Sequence, residues 1–278
     1  MAKIFSFCNQ KGGVGKTTTA LNLAACIGEK GRKVLLVDID PQGNATSGLG
    51  LNKNEAVETI YELIIGKSSM SQTVVSTSFT NLYIIQANAH LSGAEVELVG
   101  WDRREFLLKD HLDGAVSDFD FVFVDCPPSL GLLTLNALSA SDGIIIPLQC
   151  EYYALEGLGQ LLETFQLVRE KLNPKLQLSG IILTMADFRT NLTEQVIDDV
   201  RGHFREQVFE SVIPRAVRIS EAPSFGKPAV VYARDSKGAL AYRKAADEFL
   251  ARFGTLPLAS EAISQNEGTS REVENVGS

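Results

Sequence analysis

The sequence has few cysteines and no long apolar stretch, and each shortage excludes a class of protein. Its 278 residues include four cysteines, which lie apart in apolar runs without a C-x-x-C pair (Cys8, Cys26, Cys126 and Cys150). Scattered cysteines of this kind predict small buried residues in a reducing compartment. No apolar stretch approaches the roughly 20 residues of a membrane span, and the N-terminus lacks the form of a signal peptide. We therefore expect a cytoplasmic protein.

Basic residues are also in deficit, which argues weakly against binding to nucleic acid. The chain has 26 Lys and Arg against 34 Asp and Glu, for a formal net charge of −8. Binding needs only a local patch, however. Residues 201–244 hold nine basic and four acidic residues, a local balance of +5. The C-terminal third is therefore the place where we expect any surface that contacts phosphates.

Alternating strand and helix patterns predict the fold class. Near-continuous apolar runs, as in strands buried on both faces, lie at 3–8, 33–38, 82–86, 121–125, 143–147 and 178–184. Helical patterns lie at 17–28, 91–112, 131–140, 154–172, 191–204 and 236–253. This order predicts an α/β protein with a doubly wound, mostly parallel sheet and helices on both faces. We expect one domain over 1–254 and a disordered acidic tail over 255–278.

A glycine-rich segment between the first strand and the first helix predicts a phosphate-binding loop. It runs from Asn9 to Thr19 and reads N-Q-K-G-G-V-G-K-T-T-T. Its glycines (Gly12, Gly13 and Gly15) permit backbone conformations in which successive N–H groups converge on one anion. The following helix adds the positive end of its dipole. Lys16 would then reach the β- and γ-phosphates, and the Thr17 hydroxyl would hold Mg²⁺.

Acidic residues end two further predicted strands, at the edge of the sheet where ligands bind. Asp38 and Asp40 are two residues apart, so both side chains can point the same way from an extended chain. We assign Asp40 to the attacking water and Asp38 to Mg²⁺ through a water. Asp125 ends the apolar run F-V-F-V-D, which is the Walker B form and predicts a second support for Mg²⁺.

Several motifs resemble those of a known family. The loop departs from the standard G-x-x-x-x-G-K-[ST] pattern and carries a second lysine, Lys11, which resembles the deviant Walker A loop of the ParA/MinD class of ATPases. The resemblance is more specific to the ParA/Soj chromosome-partitioning ATPases, through these segments: K-G-G-V-G-K-T-T-T at 11–19, D-I-D-P-Q-G-N-A-T-S-G-L-G at 38–50, D-C-P-P-S-L-G at 125–131, Q-C-E-Y-Y-A-L-E-G at 149–157 and E-A-P-S-F-G-K-P at 221–228.

The resemblance implies an ATP-dependent molecular switch with ATP and Mg²⁺ as ligands. In such a switch, ATP joins two protomers into a homodimer with nucleotide at the interface. The dimer binds double-stranded DNA without sequence preference, and a ParB-type centromere-binding protein stimulates hydrolysis and release. It implies a nucleoid-associated protein with no membrane partner.

The resemblance also implies roles for individual residues. Lys11 would act in trans on the partner's ATP, and Glu151 would touch nucleotide across the interface. The segment around Pro214 and Arg215 would approach the adenine. Phosphate-loop contacts would come from Gly12, Gly13, Val14, Gly15, Lys16, Thr17 and Thr18, and DNA contacts from Arg189, Arg218 and Lys227.

Four other functions remain open from the sequence. A MinD-like membrane-associated positioning ATPase needs a basic amphipathic C-terminal helix, whereas the chain after Gly254 has Arg271 as its one base and no aromatic residue. A nitrogenase-type iron protein would need a second ligating cysteine, and residues 87–100 have none. A DNA-binding scaffold with a vestigial loop is disfavoured by the intact Lys16 and Asp125. A metabolic P-loop enzyme is not excluded. Because the chain starts at its first strand, we expect no sequence-specific repression.

Overall fold

The computed structural model describes residues 2–254, which form a seven-stranded sheet flanked by helices. The predicted tail over 255–278 lies outside the described residues. The strand order is β3-β4-β2-β5-β1-β6-β7, and every pairing is parallel except that of β3 with β4. The strands are β1 Lys3–Phe7, β2 Val34–Asp38, β3 Val74–Ser76, β4 Leu82–Ile85, β5 Phe121–Asp125, β6 Gly143–Gln149 and β7 Gln177–Thr184.

Helices of very different lengths connect the strands. They are α1 Lys16–Glu29, α2 Asn44–Gly48, α3 Ile60–Ile64, α4 Met70–Thr73, α5 Leu91–Glu97, α6 Leu107–Leu112, α7 Leu132–Ala140, α8 Ala154–Lys171, α9 Asn191–Phe204, α10 Val217–Glu221, α11 Ala229–Tyr232 and α12 Lys237–Phe253. Single 3₁₀ turns lie at Leu98–Gly100, Arg104–Phe106, Arg205–Gln207 and Ala222–Phe225.

The sheet is covered on both faces, as its continuous apolar strands predict. In β2, Leu35 and Val37 belong to one hydrophobic cluster while Leu36 belongs to the other, because successive side chains of a strand point to opposite faces. The helices α1 and α12 pack on one face, where Phe249 contacts the rings of the central strands. The helices α5 to α8 cover the other face. The predicted doubly wound fold is therefore confirmed.

The six predicted strands agree with the structure, whereas one predicted helix does not. All six predicted strands are present, and the structure adds β3, a three-residue antiparallel edge strand too short to be read from its pattern. The prediction of one helix over 91–112 is wrong. The chain turns between α5 and α6, where Arg103 has a φ of 57°. The buried Asn136 side chain stabilises this break, because it donates to the Arg104 carbonyl and accepts from the Leu108 N–H.

Candidate nucleotide site

The glycine-rich segment forms the loop between β1 and α1, as predicted. Gly13 and Gly15 have φ values of 76° and 91°, which L side chains rarely adopt, so both positions require glycine. The α1 helix begins at Lys16 without a side-chain cap and without an acidic residue in its first turn. Its first N–H groups therefore face the loop without a competing side-chain acceptor at the cap. This is the arrangement that binds phosphate at a helix N-terminus.

Side chains from neighbouring strands hold the loop in place. The Asn9 side chain donates to the Pro147 carbonyl at 2.8 Å and accepts from the Lys11 N–H at 3.0 Å. On the other side, the Thr184 hydroxyl donates to the Val14 carbonyl at 2.8 Å. The loop is thus tied to the ends of β6 and β7, which reduces the ordering that anion binding would require.

Lys16 lies folded into this loop and is 7% exposed. Its ammonium donates to the Lys11 carbonyl at 3.3 Å. Burial lowers the pKa of Lys16, and the charge of Asp125 opposes that shift more than any other neighbour does. The side chain is therefore a partly desolvated cation held close to a carboxylate, and an incoming polyphosphate would supply the negative charge that its position favours.

Asp38, predicted to support Mg²⁺ through a water, is held by hydrogen bonds within the protein. Its carboxylate accepts both the Thr46 N–H and the Thr46 hydroxyl at 2.8 Å, and the Asp40 N–H at 3.3 Å. Burial raises the pKa of Asp38 to about 6, and the hydrogen bonds from Thr46 act against that shift. Neither Asp38 nor Asp125 is among the residues that line the cavity beside the loop, but the Asp38 oxygens, unlike those of Asp125, accept hydrogen bonds from the protein. Its contacts instead fix α2 and the Asp40 segment against the end of β2.

Asp125 is a buried carboxylate whose two oxygens have no hydrogen-bond partner within residues 2–254. It lies directly opposite Asp38 in the register of β2 and β5. Burial raises the pKa of Asp125 well above its usual range and the Asp38 charge raises it further, while the Thr17 hydroxyl lowers it. Such an orphaned carboxylate beside a hydroxyl fits the oxygen ligands that Mg²⁺ prefers.

The same site lacks the ligand cluster of a purely protein-bound metal. Within residues 2–254 there is no group of three or more His, Cys, Asp or Glu side chains that could hold a metal ion. Mg²⁺ usually binds through one or two protein groups together with substrate phosphates and waters. The chemistry of Thr17 and Asp125 fits this mode of binding, in which the nucleotide brings further ligands.

Asp40 and the phosphate loop line one cavity of about 500 Å³. Asp40 is 6% exposed, and its carboxylate accepts the Gln42 N–H at 2.9 Å, which fixes the side chain. The cavity brings together Gly12, Gly13, Gly15, Lys16, Thr17, Thr18 and Asp40 of the predicted site, with Pro128 of the turn after β5. A carboxylate fixed in this cavity can position a water against a bound phosphate.

A second cavity of about 380 Å³ shares Gly15 and Thr18 with the first. Pro214 and Arg215, predicted to lie near the adenine, both line it. The sequence analysis missed Met185, which lines both cavities and has a φ of 53°, unusual for a residue with a side chain. Its position directly after β7, at the carboxyl edge of the sheet, was the available signal.

Lys11 and Glu151 form an ion pair on the surface beside the loop. Their charged atoms are 2.7 Å apart, and the side chains are 53% and 44% exposed. Arg215 lies 3.8 Å from the same carboxylate. An exposed pair of this kind contributes roughly 0–1 kcal/mol, so Lys11 can leave Glu151 for a stronger anion at little cost.

The three residues predicted to contact DNA lie on exposed loops and a short helix. Arg189 pairs with Asp187 and, through its hydrogen bonds, lowers the pKa of Asp187 to about 2. Arg218 pairs with Glu221 at 3.0 Å, the acidic neighbour that its sequence position suggests. Lys227 is exposed. All three cations can therefore face a partner, although two of them have a carboxylate that phosphate would have to replace.

Comparisons with known proteins agree with this geometry. Residues 2–178 match the model of an AAA domain family. The chain is 52% identical to the chromosome partitioning protein ParA of Myxococcus xanthus, over 91% of this chain and 89% of that protein. It is also 52% identical to the sporulation initiation inhibitor protein Soj of Bacillus subtilis, over 90% of this chain and 99% of that protein.

A solved structure with bound nucleotide has the same fold. It is the structure titled cobyrinic acid a,c-diamide synthase from Mycobacterium smegmatis with bound ADP and magnesium. The TM-score is 0.81 at 40% identity, covering 92% of this chain and 96% of that chain. The phosphate loop, the carboxylates beside it and the 52% identity to ParA and Soj over nine-tenths of the chain lead to one conclusion. This chain belongs to the ParA/Soj family of chromosome-partitioning P-loop proteins.

Proposed function

We propose that this protein is a Mg²⁺-dependent ATPase that acts as a DNA-segregation switch, with residues 1–254 as its ATPase domain. The observation that carries the proposal is that Lys16, Thr17 and Asp40 line one cavity at the loop. The buried Asp125, whose oxygens have no partner within residues 2–254, lies close enough to act on the pKa of Lys16 and to have its own pKa lowered by Thr17. Lys16 would bind the β- and γ-phosphates, and the Gly12–Thr18 backbone, which includes Val14, would cradle them. Bound Mg²⁺ would neutralise phosphate charge, held by Thr17 and Asp125, with Asp38 behind them.

Hydrolysis in this proposal depends on Asp40. Its carboxylate is fixed by the Gln42 N–H and faces the cavity that Lys16 also lines. The Asp40 carboxylate would accept a hydrogen bond from the attacking water and orient that water toward the γ-phosphate. Adenine would occupy the second cavity, beside Pro214 and Arg215.

The homodimer in this proposal depends on Lys11. An exposed cation 2.7 Å from an exposed carboxylate loses little when the pair separates, whereas a contact with the polyphosphate of a facing protomer joins opposite charges in a less solvated interface. Glu151 lies beside Lys11 and would meet the same nucleotide. ATP would thereby join two copies of the chain.

DNA binding follows from dimerisation in physical terms. Each protomer would contribute three cations to the DNA surface, Arg189, Arg218 and Lys227, and a dimer doubles that number. Affinity for DNA rises steeply with the number of phosphates neutralised. These contacts address phosphates rather than base edges, so binding would lack sequence preference. A ParB-type centromere-binding partner would stimulate hydrolysis and release the DNA, with the protein cytoplasmic and nucleoid-associated.

The alternative is a MinD-like positioning ATPase that uses a membrane surface. Of the helices in residues 2–254, none has the length and apolar character needed to cross a membrane. The last described helix, α12, is amphipathic, but its apolar side is buried: Tyr242, Ala245, Ala246 and Phe249 pack into the core beside α1. It therefore offers no free apolar face to a lipid surface.

The test of the proposal is the binding of non-specific double-stranded DNA at fixed salt. We expect binding with ATP and Mg²⁺, and none with ADP or without nucleotide, because only the ATP form would present two sets of cations. Fluorescence anisotropy of a labelled duplex measures this directly. Equal binding in all three states would contradict the switch. If ATP-dependent dimers form but bind anionic lipid vesicles and no DNA, the membrane alternative is correct.

Reversing the charge of Arg218 should strongly weaken DNA binding while leaving the ATP-dependent dimer intact. Contact with about five phosphates predicts a log–log salt slope near −4.5, and losing one contact per protomer reduces it by about 1.8. The measurement is anisotropy over a series of salt concentrations with the Arg218→Glu variant. Arg103→Glu is the matched control, since Arg103 is equally exposed and paired, near α6. Wild-type affinity in Arg218→Glu at matched salt would remove Arg218 from the interface.

A further inference from the structure

Two of the four cysteines form a contact directly beneath the phosphate loop. The Cys8 thiol donates to the Cys126 sulfur at 3.3 Å, and both residues are buried. Cys8 follows β1 and Cys126 follows β5, and the preceding residues, Phe7 and Asp125, are paired in the strand register. The sequence analysis treated all four cysteines as separate buried residues, because 118 positions separate these two in the chain.

The backbone geometry of this pair suits a covalent link. Neighbouring strands lie about 4.8 Å apart, and the Cα atoms of a disulfide are usually about 4.4–6.8 Å apart. The Cys126 N–H donates to the Phe7 carbonyl at 3.3 Å, so the parallel ladder continues up to the pair. Both side chains belong to the same hydrophobic cluster and thus point to the same face of the sheet.

The pair also lies at the junction of the two nucleotide-binding motifs. Asn9, which anchors the loop, directly follows Cys8, and Asp125 directly precedes Cys126. Lys16 is close enough that both thiols act on its pKa. A bond between the two sulfurs would therefore join the base of the phosphate loop to the strand that carries Asp125.

We propose that Cys8 and Cys126 form a redox site that a small peroxide converts to an intramolecular disulfide. In the first step one thiol attacks hydrogen peroxide, giving a sulfenic acid and one water. In the second step the other thiol attacks the sulfenic sulfur, forming the S–S bond and releasing a second water. The two sulfurs together lose two electrons, which reduce the peroxide oxygen atoms, and dithiothreitol reverses the reaction by thiol–disulfide exchange.

Burial determines which oxidants can act and at what rate. Cys8 and Cys126 are each 1% exposed, so the first step is slow and favours a reagent as small as hydrogen peroxide. The second step needs no diffusion, since the partner sulfur is already 3.3 Å away. Sulfenic acid at this site should therefore close to the disulfide rather than oxidise further.

The disulfide should weaken nucleotide binding, a consequence that rests on the proposed function. The sulfurs must approach from 3.3 Å to about 2.05 Å, which requires both side chains to shift at the base of the loop, close to Lys16. We expect roughly a tenfold loss of ATP affinity, equal to about 1.4 kcal/mol. Bound ATP should in turn slow the oxidation.

The test compares two double variants of the full chain. Cys26→Ala/Cys150→Ala keeps the contacting pair, and Cys8→Ala/Cys126→Ala keeps the two other buried cysteines. Nucleotide-free protein is treated with hydrogen peroxide, and intact mass and a non-reducing peptide map are recorded. We expect the first variant to lose the mass of two hydrogens, linked between Cys8 and Cys126 and restored by dithiothreitol, and the second to form no intramolecular disulfide.

Three results would overturn the proposal. They are sulfinic acid instead of a disulfide in the variant that keeps the pair, no reaction of that variant, and an equal disulfide in the other variant. Should the second variant fail to fold, Cys126→Ser alone replaces it. The mass readout is independent of nucleotide, so a disulfide that forms without changing ATP affinity would refute only its effect on the site. If the reduced protein does not bind ATP at all, the proposed function is refuted instead.

Discussion

Replacing Lys16 by alanine should weaken ATP binding by at least about 100-fold, or about 2.7 kcal/mol. Hydrogen bonds to charged groups each contribute about 1.5–3 kcal/mol, and the Lys16 ammonium would contact two phosphates. Asp125 is the charged neighbour that acts most on the pKa of Lys16, and the Lys16 charge in turn lowers the pKa of Asp125, so removing Lys16 takes a positive neighbour from that buried carboxylate. Isothermal titration with ATP and Mg²⁺ measures the loss, and thermal unfolding shows whether the variant is folded.

Lys11→Ala is the control for the loss of ATP affinity, because the two lysines belong to the same loop but differ in burial and in contacts. Lys11 is exposed and paired with Glu151, whereas Lys16 is buried against Lys11's own carbonyl. Lys11→Ala should keep ATP affinity near the wild-type value and lose ATP-dependent dimers in light scattering. Lys16→Gln keeps a polar, unbranched side chain but removes the charge, and it should behave like the alanine variant. Unchanged ATP affinity in both Lys16 variants would refute the loop assignment.

The part of the site that the sequence predicts well is the part built from contiguous residues. The loop is specified by glycines whose backbone angles are closed to other residues, as the φ of 91° at Gly15 illustrates. The acids at the ends of β2 and β5 are predictable because parallel strands present their carboxyl ends at one edge. Asp38 lies opposite Asp125 because β2 and β5 are neighbouring strands. This neighbour relation follows from the strand order β4-β2-β5-β1 and cannot be predicted from either motif alone.

The features that the sequence could not supply arise from contacts between distant segments. Asp38 looks equivalent to Asp40 in the chain, but Thr46 takes its carboxylate and only Asp40 reaches the cavity. The turn between α5 and α6 depends on Asn136, a residue of another helix. Sulfur contact between Cys8 and Cys126 depends on β1 and β5 being neighbours. In each of these three cases a contact between distant segments determines the local arrangement, and the local sequence does not distinguish it from the alternatives.

Asp125 and Asp40 differ in their surroundings, and the separate roles proposed for them rest on that difference. Asp125 is fully buried with a raised pKa and unpartnered oxygens, so in the nucleotide-free protein its charged form is unfavourable. A cation would relieve that energy, which suits Mg²⁺ support. Asp40 is fixed by a backbone N–H and lines the cavity, which suits contact with a water. Removing Asp40 should therefore affect chemistry more than binding.

Asp40→Ala is expected to keep ATP binding and to reduce the rate of hydrolysis by about 10²–10⁴-fold, the range of general acid–base contributions. The variant should accumulate as an ATP-bound dimer that stays on DNA, because only hydrolysis would release it. Single-turnover phosphate release measures the rate, and size-exclusion chromatography with light scattering measures the dimer. Gln42→Ala is the matched control: Gln42 lines the same cavity, and its backbone N–H, which fixes Asp40, is kept.

Gln42→Ala should hydrolyse ATP at near the wild-type rate, because the proposal gives the water to the Asp40 carboxylate and the Gln42 side-chain oxygen already accepts from the Asn44 amide. Turnover by Asp40→Ala at the wild-type rate would show that another group orients the water. The nucleotide-site assignment would then stand, and the role of Asp40 would be refuted. Slow basal turnover in the wild-type protein would not affect this comparison, because the test depends on the ratio of the two rates. If both variants slow equally, the effect arises from the shape of the cavity and not from the Asp40 carboxylate.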